Sequence, residues 1–133
     1  MKSVFLSGPM RGVPREESLA WRQQAAALLV DKFKVRHALR GRELKERFTD
    51  SRAAVIRDLS DIESSDILLV NDTRSDCSMI GTSMEVFFAF ERNKPVIVFG
   101  DGHSKDYWLN YCTHLRVQTL EEACSVLNDL FSD

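Results

Sequence analysis

The stretch GTSMEVFFAFE at residues 81–91, followed by VIVFG at residues 96–100, predicts the centre of an α/β fold. A glycine and two hydroxyl residues lead into a nearly all-apolar helix, and Asn93-Lys94-Pro95 separates this helix from a run that is typical of a buried strand. The helix carries a single carboxylate, Glu85, in its first turn. Any function of this acid depends on where the helix meets the sheet.

Four further apolar runs predict the other strands. Val4–Leu6, Lys34–Leu39 and Leu115–Val117 would be short strands, whereas Ile67–Val70 is the continuous run expected of a parallel strand that is buried on both faces. Helices are expected at about residues 14–33, 51–64, 107–111 and 120–131. Alternating strands and helices predict a small doubly wound α/β fold, flavodoxin-like or Rossmann-like, with a five-stranded parallel sheet in the order 2-1-3-4-5 and helices on both faces.

Residue types at the helix ends predict how three of these helices begin. Pro14 suits the first turn of the first helix, Ser51 can cap the second, and Thr119 with Glu122 has the spacing of a capping box. The second helix would turn four apolar residues inward: Ala54, Val55, Leu59 and Ile62. Before this helix, residues 40–50 hold seven charges and predict a mobile surface segment, part loop and part helix.

Length and composition favour a single domain over residues 1–133, large enough for a hydrophobic core. The net charge of −2 provides no general attraction to nucleic acid or to an acidic membrane. The sequence shows no signal peptide and no apolar run as long as a membrane span, so a cytoplasmic protein is expected. Three scattered cysteines and three scattered histidines fit a reduced protein without a zinc site.

The predicted topology indicates where a ligand would bind. Sites in doubly wound folds lie at the carboxyl ends of the strands. Three loops reach that edge here, at residues 7–12, 71–81 and 100–105, and a helix that begins at Thr82 opens onto it. Candidate functional residues are therefore expected in and beside these loops.

Glu85 has two interpretations that the sequence leaves open. Thr82 and Glu85 have the spacing of a capping box, in which the carboxylate only closes the start of the helix. In the second interpretation Glu85 is a catalytic group, because a helix N-terminus favours the ionised carboxylate that a nucleophile needs.

Two further groups of residues are candidates for binding or chemistry. Asp58 shares a helical face with Ile62, so this acid lies beside a core position, and a structural role is the equally open alternative. In the loop Ser7–Gly12, glycines permit close approach to a ligand and Arg11 could pair with a phosphate or carboxylate. A tight turn with an exposed arginine would have the same sequence, since neither a Walker loop nor a dinucleotide fingerprint is present.

Together these segments resemble the nucleoside 2-deoxyribosyltransferase family, which includes the deoxynucleoside 5′-monophosphate N-glycosidases. The resemblance spans roughly residues 4–118. It rests on FLSGPMRG at residues 5–12, on RDL, isoleucine and SDI between residues 57 and 67, on the glycine, methionine and glutamate at residues 81, 84 and 85, on KPV at residues 94–96, and on Asn110.

The resemblance implies a retaining, two-step reaction at an N-glycosidic bond. Glu85 would attack C1′ of a 2′-deoxyribose to form a covalent deoxyribosyl-enzyme, and a second base or water would then take the sugar. Asp58 would hold the sugar or base and assist proton movement. No metal or organic cofactor is implied. The implied substrate-binding residues are Phe5, Gly8, Pro9, Met10, Arg11, Gly12, Gly81, Ser83, Met84 and Asn110.

Asn110 implies that the active protein is a homo-oligomer, a dimer or larger. A neighbouring subunit would donate this residue to the 5′ end of the sugar, and Val86, Phe87 and Phe90 could supply an apolar interface. The other implied partners are small molecules: a 2′-deoxynucleoside or its 5′-monophosphate, and a nucleobase. Neither nucleic acid nor a membrane is an expected partner.

The chain departs from the family pattern at two positions. Phe5 replaces a tyrosine that often orients the nucleophile. Met79 replaces an aspartate that transferases often carry two residues before the glycine, and Asp72 or Asp76 could substitute for it. These departures leave a nucleotide-binding module without turnover as an alternative.

The 5′ end of the substrate decides between two reactions. Arg11-Gly12 resembles the loop that holds the 5′-phosphate in the monophosphate glycosidases, whereas Asn110 resembles the residue that holds a free 5′-hydroxyl in the transferases. Ser78 lies seven residues before Glu85, one residue out of register with the serine that the glycosidases use. The sequence favours a transferase, with a 5′-monophosphate hydrolase as the alternative.

Overall fold

The computed structural model describes residues 1–43 and 50–133. Within these residues the chain forms a five-stranded, all-parallel sheet in the order β2-β1-β3-β4-β5, which confirms the predicted doubly wound topology. The strands are β1 (Lys2–Ser7), β2 (Phe33–His37), β3 (Ile67–Asn71), β4 (Val96–Phe99) and β5 (Leu115–Val117). Because β1 pairs with both β2 and β3, the loop after β1 opens at the point where the strand order reverses.

Helices cover both faces of this sheet, as predicted. On one face lie α1 (Arg15–Leu29) and α5 (Leu120–Val126), which continues as a π-helical segment over Leu127–Phe131. On the other face lie α2 (Ser51–Glu63), α3 (Ile80–Glu91) and α4 (Tyr107–Cys112).

Alternation along β1 sends its side chains into two separate cores. Val4 and Leu6 are buried against α1 and α5, while Phe5 is buried against α2 and α3. Ser7 follows Phe5 by two residues and therefore faces the same side. The last residue of β1 thus meets α3 at the carboxyl edge of the sheet.

Three helix ends differ from the sequence prediction. α1 ends at Leu29 rather than near Phe33, because Phe33 is buried as the first residue of β2. Asp50 rather than Ser51 caps α2, since its carboxylate accepts hydrogen bonds from two backbone N–H groups of the first turn. α3 begins at Ile80, two residues earlier than predicted.

Other local predictions have mixed outcomes. Thr119 does cap α5, with its Oγ1 accepting a 3.1 Å hydrogen bond from the backbone N–H of Glu122. Val55, predicted to face inward, is 56% exposed. Of the segment predicted at residues 40–50, residues 44–49 lie outside the described residues. Over the described part of the chain, no helix combines the length and the hydropathy that a membrane span requires.

Candidate active site

A cavity of about 430 Å³ opens at the carboxyl edge of the sheet, where the topology places a ligand site. Its walls come from the loop after β1, from α2 and from the start of α3. Eight predicted site residues line it: Gly8, Pro9, Met10, Arg11, Asp58, Gly81, Met84 and Glu85. Three segments that are far apart in the sequence therefore meet in one site.

Four predicted residues do not line this cavity. Phe5 is fully buried in the core and does not line the cavity, so its contact with a ligand stays a prediction. Gly12 turns the chain toward α1 with a φ of 82°, and Ser83 faces a neighbouring groove. Asn110 lies exposed on α4, where its side-chain amide donates a 2.8 Å hydrogen bond to the Ser104 carbonyl. Its donation to a neighbouring subunit stays a prediction.

Glu85 does not close the start of its helix, so the capping-box interpretation is wrong. α3 begins before Thr82, and no side chain caps it. Glu85 lies in the second turn, and its Oε1 accepts a 2.6 Å hydrogen bond from the Oγ of Ser7. This bond joins the acid to the end of an inner strand.

Burial raises the pKa of Glu85 to about 7. The hydrogen bond from Ser7 lowers this pKa, the charge of Asp58 raises it, and the charge of Arg22 lowers it. The expectation that a helix N-terminus keeps this carboxylate ionised is therefore wrong. Glu85 lies in the second turn, and desolvation is the largest influence on its pKa. Glu85 changes protonation near neutral pH, which is the range useful to a catalytic acid, base or nucleophile.

Asp58 is the second acid of the cavity, and burial raises its pKa to about 6. Arg57 lowers this pKa and Asp61 raises it, followed by the charges of Arg42 and Arg22, which lower it. The Oδ1 atom of Asp58 is buried and accepts no hydrogen bond from the described residues. A buried acceptor without a protein partner is costly, which fits a group whose partner is a ligand.

The charge of Asp58 opposes ionisation of Glu85. Both acids line one cavity, and burial raises the pKa of each toward neutral pH. Two carboxyl groups of this kind can supply a carboxylate and an acid to the same ligand.

Sequence reasoning missed two residues of this site, Ser7 and Arg22. Ser7 is two residues after Phe5 and thus on the same face of β1, which could have indicated its approach to α3. It supplies Glu85 with the hydroxyl that Phe5 lacks. Arg22 had no comparable signal, since it is one of several charged residues on α1, yet it is 1% exposed and lines the cavity.

The loop after β1 has little room for a side chain at its first position. A Cβ atom on Gly8 would lie 3.0 Å from the ring of Trp21 and 3.1 Å from the Cβ of Asn71. Gly81 differs, because no protein atom would lie within 4 Å of an added Cβ. Gly8 therefore packs against its own chain, whereas Gly81 borders open space.

Neither acid that could replace the aspartate missing at Met79 lines the cavity. Asp72 is fully buried in hydrogen bonds to β5 and to the loop after β4. Asp76 forms an ion pair with Arg74 on the surface. Ser78, although one residue out of register, does line the cavity.

A larger apolar groove of about 1,100 Å³ lies beside the cavity, between α3 and α4. Phe87 and Trp108 line it and are 43% and 73% exposed. Val86 was predicted on the outer face, and this is wrong, because Val86 is only 1% exposed and belongs to the core. Phe90 packs against Tyr111 rather than lining the groove.

The lining of the cavity suits an organic ligand with both apolar and anionic parts. Met10 and Met84 offer apolar surface on which a flat ring can pack, and Arg11 adds a positive charge at the rim. Among the described residues, no group of three or more histidines, cysteines, aspartates and glutamates could hold a metal ion.

Solved structures with the same fold include an enzyme of nucleoside chemistry. The 2-deoxyribosyltransferase of Bacillus psychrosaccharolyticus superposes with a TM-score of 0.71 at 19% identity, covering 90% of this chain and 88% of that chain. The chain has the fold of a 2-deoxyribosyltransferase. Neither a protein-family model nor a curated protein matches it in sequence.

Two further structures extend this comparison. The CMP N-glycosidase of Clostridium botulinum has a TM-score of 0.64 at 17% identity, and a conserved protein of Enterococcus faecalis has a TM-score of 0.66 at 17% identity. Each comparison covers 96% of this chain and 98% of the other. The resemblance seen in the sequence is thus supported at the level of the fold.

Proposed function

We propose that this protein cleaves the N-glycosidic bond of a 2′-deoxynucleoside or of its 5′-monophosphate. The observation that carries the proposal is the pair of acids, Glu85 and Asp58, which line one cavity and change protonation near neutral pH. Retaining glycosidases use two carboxyl groups at one glycosidic bond. The fold shared with a 2-deoxyribosyltransferase and with a CMP N-glycosidase supports the choice of an N-glycosidic bond.

Glu85 is the proposed nucleophile. Ser7 holds its Oε1, which leaves Oε2 to attack C1′ of the sugar. As the bond between Oε2 and C1′ forms, the bond from C1′ to the base nitrogen breaks, and its electron pair leaves with the base. The product of this step is a deoxyribosyl ester of Glu85.

Asp58 is the proposed acid–base group. With Asp58 protonated and Glu85 ionised, Asp58 can give its proton to the departing base. In the second step a base nitrogen or a water oxygen attacks C1′, Asp58 accepts the proton of the attacking group, and Glu85 leaves as a carboxylate. Two displacements at C1′ retain the configuration of the sugar.

Transfer to a second nucleobase is the first candidate reaction, and it rests on the resemblance of Asn110 to the asparagine of the transferases. Asn110 is outside the cavity of its own chain, so this reaction calls for a homo-oligomer. The apolar groove between α3 and α4 adjoins the cavity and would supply the interface. The groove and the cavity share Leu59, Ile80 and Met84, so a second copy seated there would adjoin the cavity.

Hydrolysis of a 5′-monophosphate is the second candidate reaction, and one observation favours it. Arg11 and Ser78 line the same cavity within a single chain, and a guanidinium and a hydroxyl both donate hydrogen bonds to phosphate oxygens. This reaction would not depend on Asn110.

Incubation of the purified protein with each 2′-deoxynucleoside and each 5′-monophosphate, with and without a second free base, tests the proposal by chromatography. A new nucleoside that forms only with the acceptor base would identify the transferase. Free base and deoxyribose 5-phosphate from the monophosphates would identify the hydrolase. Ligand binding without any product would instead identify a binding module.

Arg11→Ala separates the two substrate classes. If Arg11 binds the 5′-phosphate, its loss should raise KM for monophosphates roughly tenfold or more and leave nucleosides unaffected, because a charge-assisted hydrogen bond is lost. Arg52→Ala, at an exposed position of α2, is the matched control. An equal change for both substrate classes would remove Arg11 from phosphate binding.

A further inference from the structure

Arg22 of α1 has the largest fully buried side chain among the described residues. Its Nη1 donates a 2.8 Å hydrogen bond to the Ser18 carbonyl, and its Nη2 donates a 3.1 Å bond to the Gly8 carbonyl. Its Cζ lies 4.7 Å from the ring centroid of Trp21. The Nε–H finds no acceptor in the described part of the chain. The guanidinium therefore reaches from α1 to the start of the loop after β1.

No carboxylate of the described residues forms an ion pair with this guanidinium. Burial lowers the pKa of Arg22 to about 10, and the more distant negative charges of Glu85 and Asp58 oppose this shift. An apolar side chain of similar length would fill the same space without the cost of burying a charge. Packing alone therefore does not account for an arginine at this position.

The contact with Gly8 bears on the ligand loop, defined here as residues 8–12. Gly8 is wedged against Trp21, and the three residues after it line the cavity. Because the peptide group is planar, a hydrogen bond to the Gly8 carbonyl also orients the peptide bond that leads to Pro9. Arg22 thus sets the direction in which the loop leaves β1.

Arg22 also lines the same cavity as the two acids. The groups that act on Glu85 are Ser7 from β1, Asp58 from α2 and Arg22 from α1, and Arg11 of the ligand loop lines the same cavity. When Glu85 ionises, the Ser7 hydroxyl and the Arg22 charge are the influences that offset its burial. Among these groups, Arg22 is the buried positive charge.

We propose that Arg22 is a positioning residue that anchors the ligand loop through the Gly8 carbonyl and holds a positive charge in the cavity that Glu85 and Asp58 line. It acts through these groups and touches no reacting atom. Its effect on turnover depends on the function proposed above, whereas its effect on the protonation of Glu85 does not.

Titration of the Glu85 carboxyl carbon, followed by ¹³C NMR and assigned with Glu85→Gln, tests the role of the charge. In Arg22→Met the midpoint should rise by about one pH unit, because a nearby positive charge is lost. In Arg22→Lys it should stay within a few tenths of a pH unit. Arg36→Met is the matched control, since Arg36 lies on β2 outside the cavity and bonds Ser64. An unchanged Glu85 midpoint in folded Arg22→Met would overturn the proposal.

Steady-state kinetics tests the role of the anchor. Arg22→Lys loses the two-pronged geometry of the guanidinium, so KM should rise roughly tenfold while the acidic limb of the pH profile stays in place. An unchanged KM would overturn the anchoring role. If Arg22→Met does not fold, Arg22→Gln, which keeps a hydrogen-bond donor without the charge, replaces it in the titration. A wild-type protein without turnover would refute the proposed function while the titration still decides the role of Arg22.

Discussion

Asp72 and the two acids of the cavity lie at the carboxyl edge of the same sheet, and they differ in how their oxygen atoms are satisfied. Asp72, just after β3, is fully buried: its Oδ2 accepts hydrogen bonds from the backbone N–H of His103 and from Arg116, and its Oδ1 bonds the His103 ring. In the cavity, Oδ1 of Asp58 accepts no hydrogen bond from the described residues, and Glu85 accepts one from a serine hydroxyl.

This difference separates a structural acid from candidate catalytic acids. Protein donors occupy both oxygens of Asp72, and Gly102 donates to its backbone carbonyl, so Asp72 ties the loop after β4 to β5. A buried polar group that is fully satisfied has little capacity left for a ligand. Glu85 and Asp58 have pKa values raised by burial and hold oxygen atoms that a substrate can use.

Glu85→Gln should produce the largest loss of activity. We expect turnover to fall by at least about 10³-fold, since an amide cannot act as the nucleophile. The protein should not lose stability, because the amide can still accept a hydrogen bond from Ser7 and the variant no longer buries a charge at high pH. Glu91→Gln, exposed at the end of the same helix, is the control. Turnover within tenfold of the wild type would exclude Glu85 as the nucleophile.

Asp72→Asn should have the opposite effect to Glu85→Gln: the protein should lose stability, with little direct change in turnover. Removing one partner of a buried charge network leaves Arg116 without its carboxylate, so the free energy of unfolding should fall by about 2–4 kcal/mol. Urea denaturation measures this change. Asp76→Asn, which breaks a surface pair with Arg74, should cost at most about 1 kcal/mol. If the free energy of unfolding falls equally in the two variants, the buried network of Asp72 contributes no more to stability than the surface pair of Asp76.

Asp58→Asn should stabilise the protein at neutral pH while reducing turnover. The folded-state pKa of Asp58 is about 6, above its ordinary value of 3.8, so the folded protein binds this proton more tightly than the unfolded chain. The stabilising contribution of the protonated form is complete below about pH 4 and is lost as the pH rises through about 6. At pH 8 the variant should gain up to about 2 kcal/mol.

Thermal unfolding at pH 4 and at pH 8 checks this expectation, with Asp66→Asn, at an exposed position between α2 and β3, as a control. The gain should vanish at pH 4. A variant that is destabilised equally at both pH values would mean that Asp58 is a structural acid like Asp72.

Ser7→Ala should have the smallest of these effects. Loss of the hydrogen bond to Glu85 should raise the pKa of that carboxyl further, because this bond favours the ionised form. The acidic limb of the pH profile of kcat/KM should move upward by about half a pH unit, with turnover at high pH nearly unchanged. Ser3→Ala, a buried serine on the same face of β1, is the control. If the acidic limb of the pH profile does not move, the hydrogen bond from Ser7 does not lower the pKa of Glu85.

The strands were predictable because a parallel strand covered on both faces needs a continuous apolar run. Ile67–Val70 and Val96–Phe99 are such runs, and both became strands. Helix ends were less predictable, because competing signals lie next to each other. Thr82 and Glu85 have capping-box spacing, yet the helix begins at Ile80, and Asp50 outcompetes Ser51 as a cap.

The candidate site was predictable in part for a similar reason. The rule that ligands bind at the carboxyl ends of parallel strands selected two loops that line the cavity, at residues 7–12 and 71–81, whereas no residue of the third loop, at 100–105, lines it. The family resemblance selected Glu85, Asp58 and Arg11, which also line it. The resemblance could not show that Phe5 is buried in the core or that Ser83 faces the groove. A sequence motif specifies neither the burial of a side chain nor the direction in which it points.

By itself, the sequence determined the order of the elements and the segments that meet at the sheet edge, because the period and length of apolar runs reflect local burial. Only the tertiary structure decided which polar groups face one another. The hydrogen bond from Ser7 to Glu85 spans 78 positions, and Arg22 is buried by elements from several parts of the chain. The raised pKa values of the two acids have the same origin, since desolvation is a property of the packed fold rather than of any residue type.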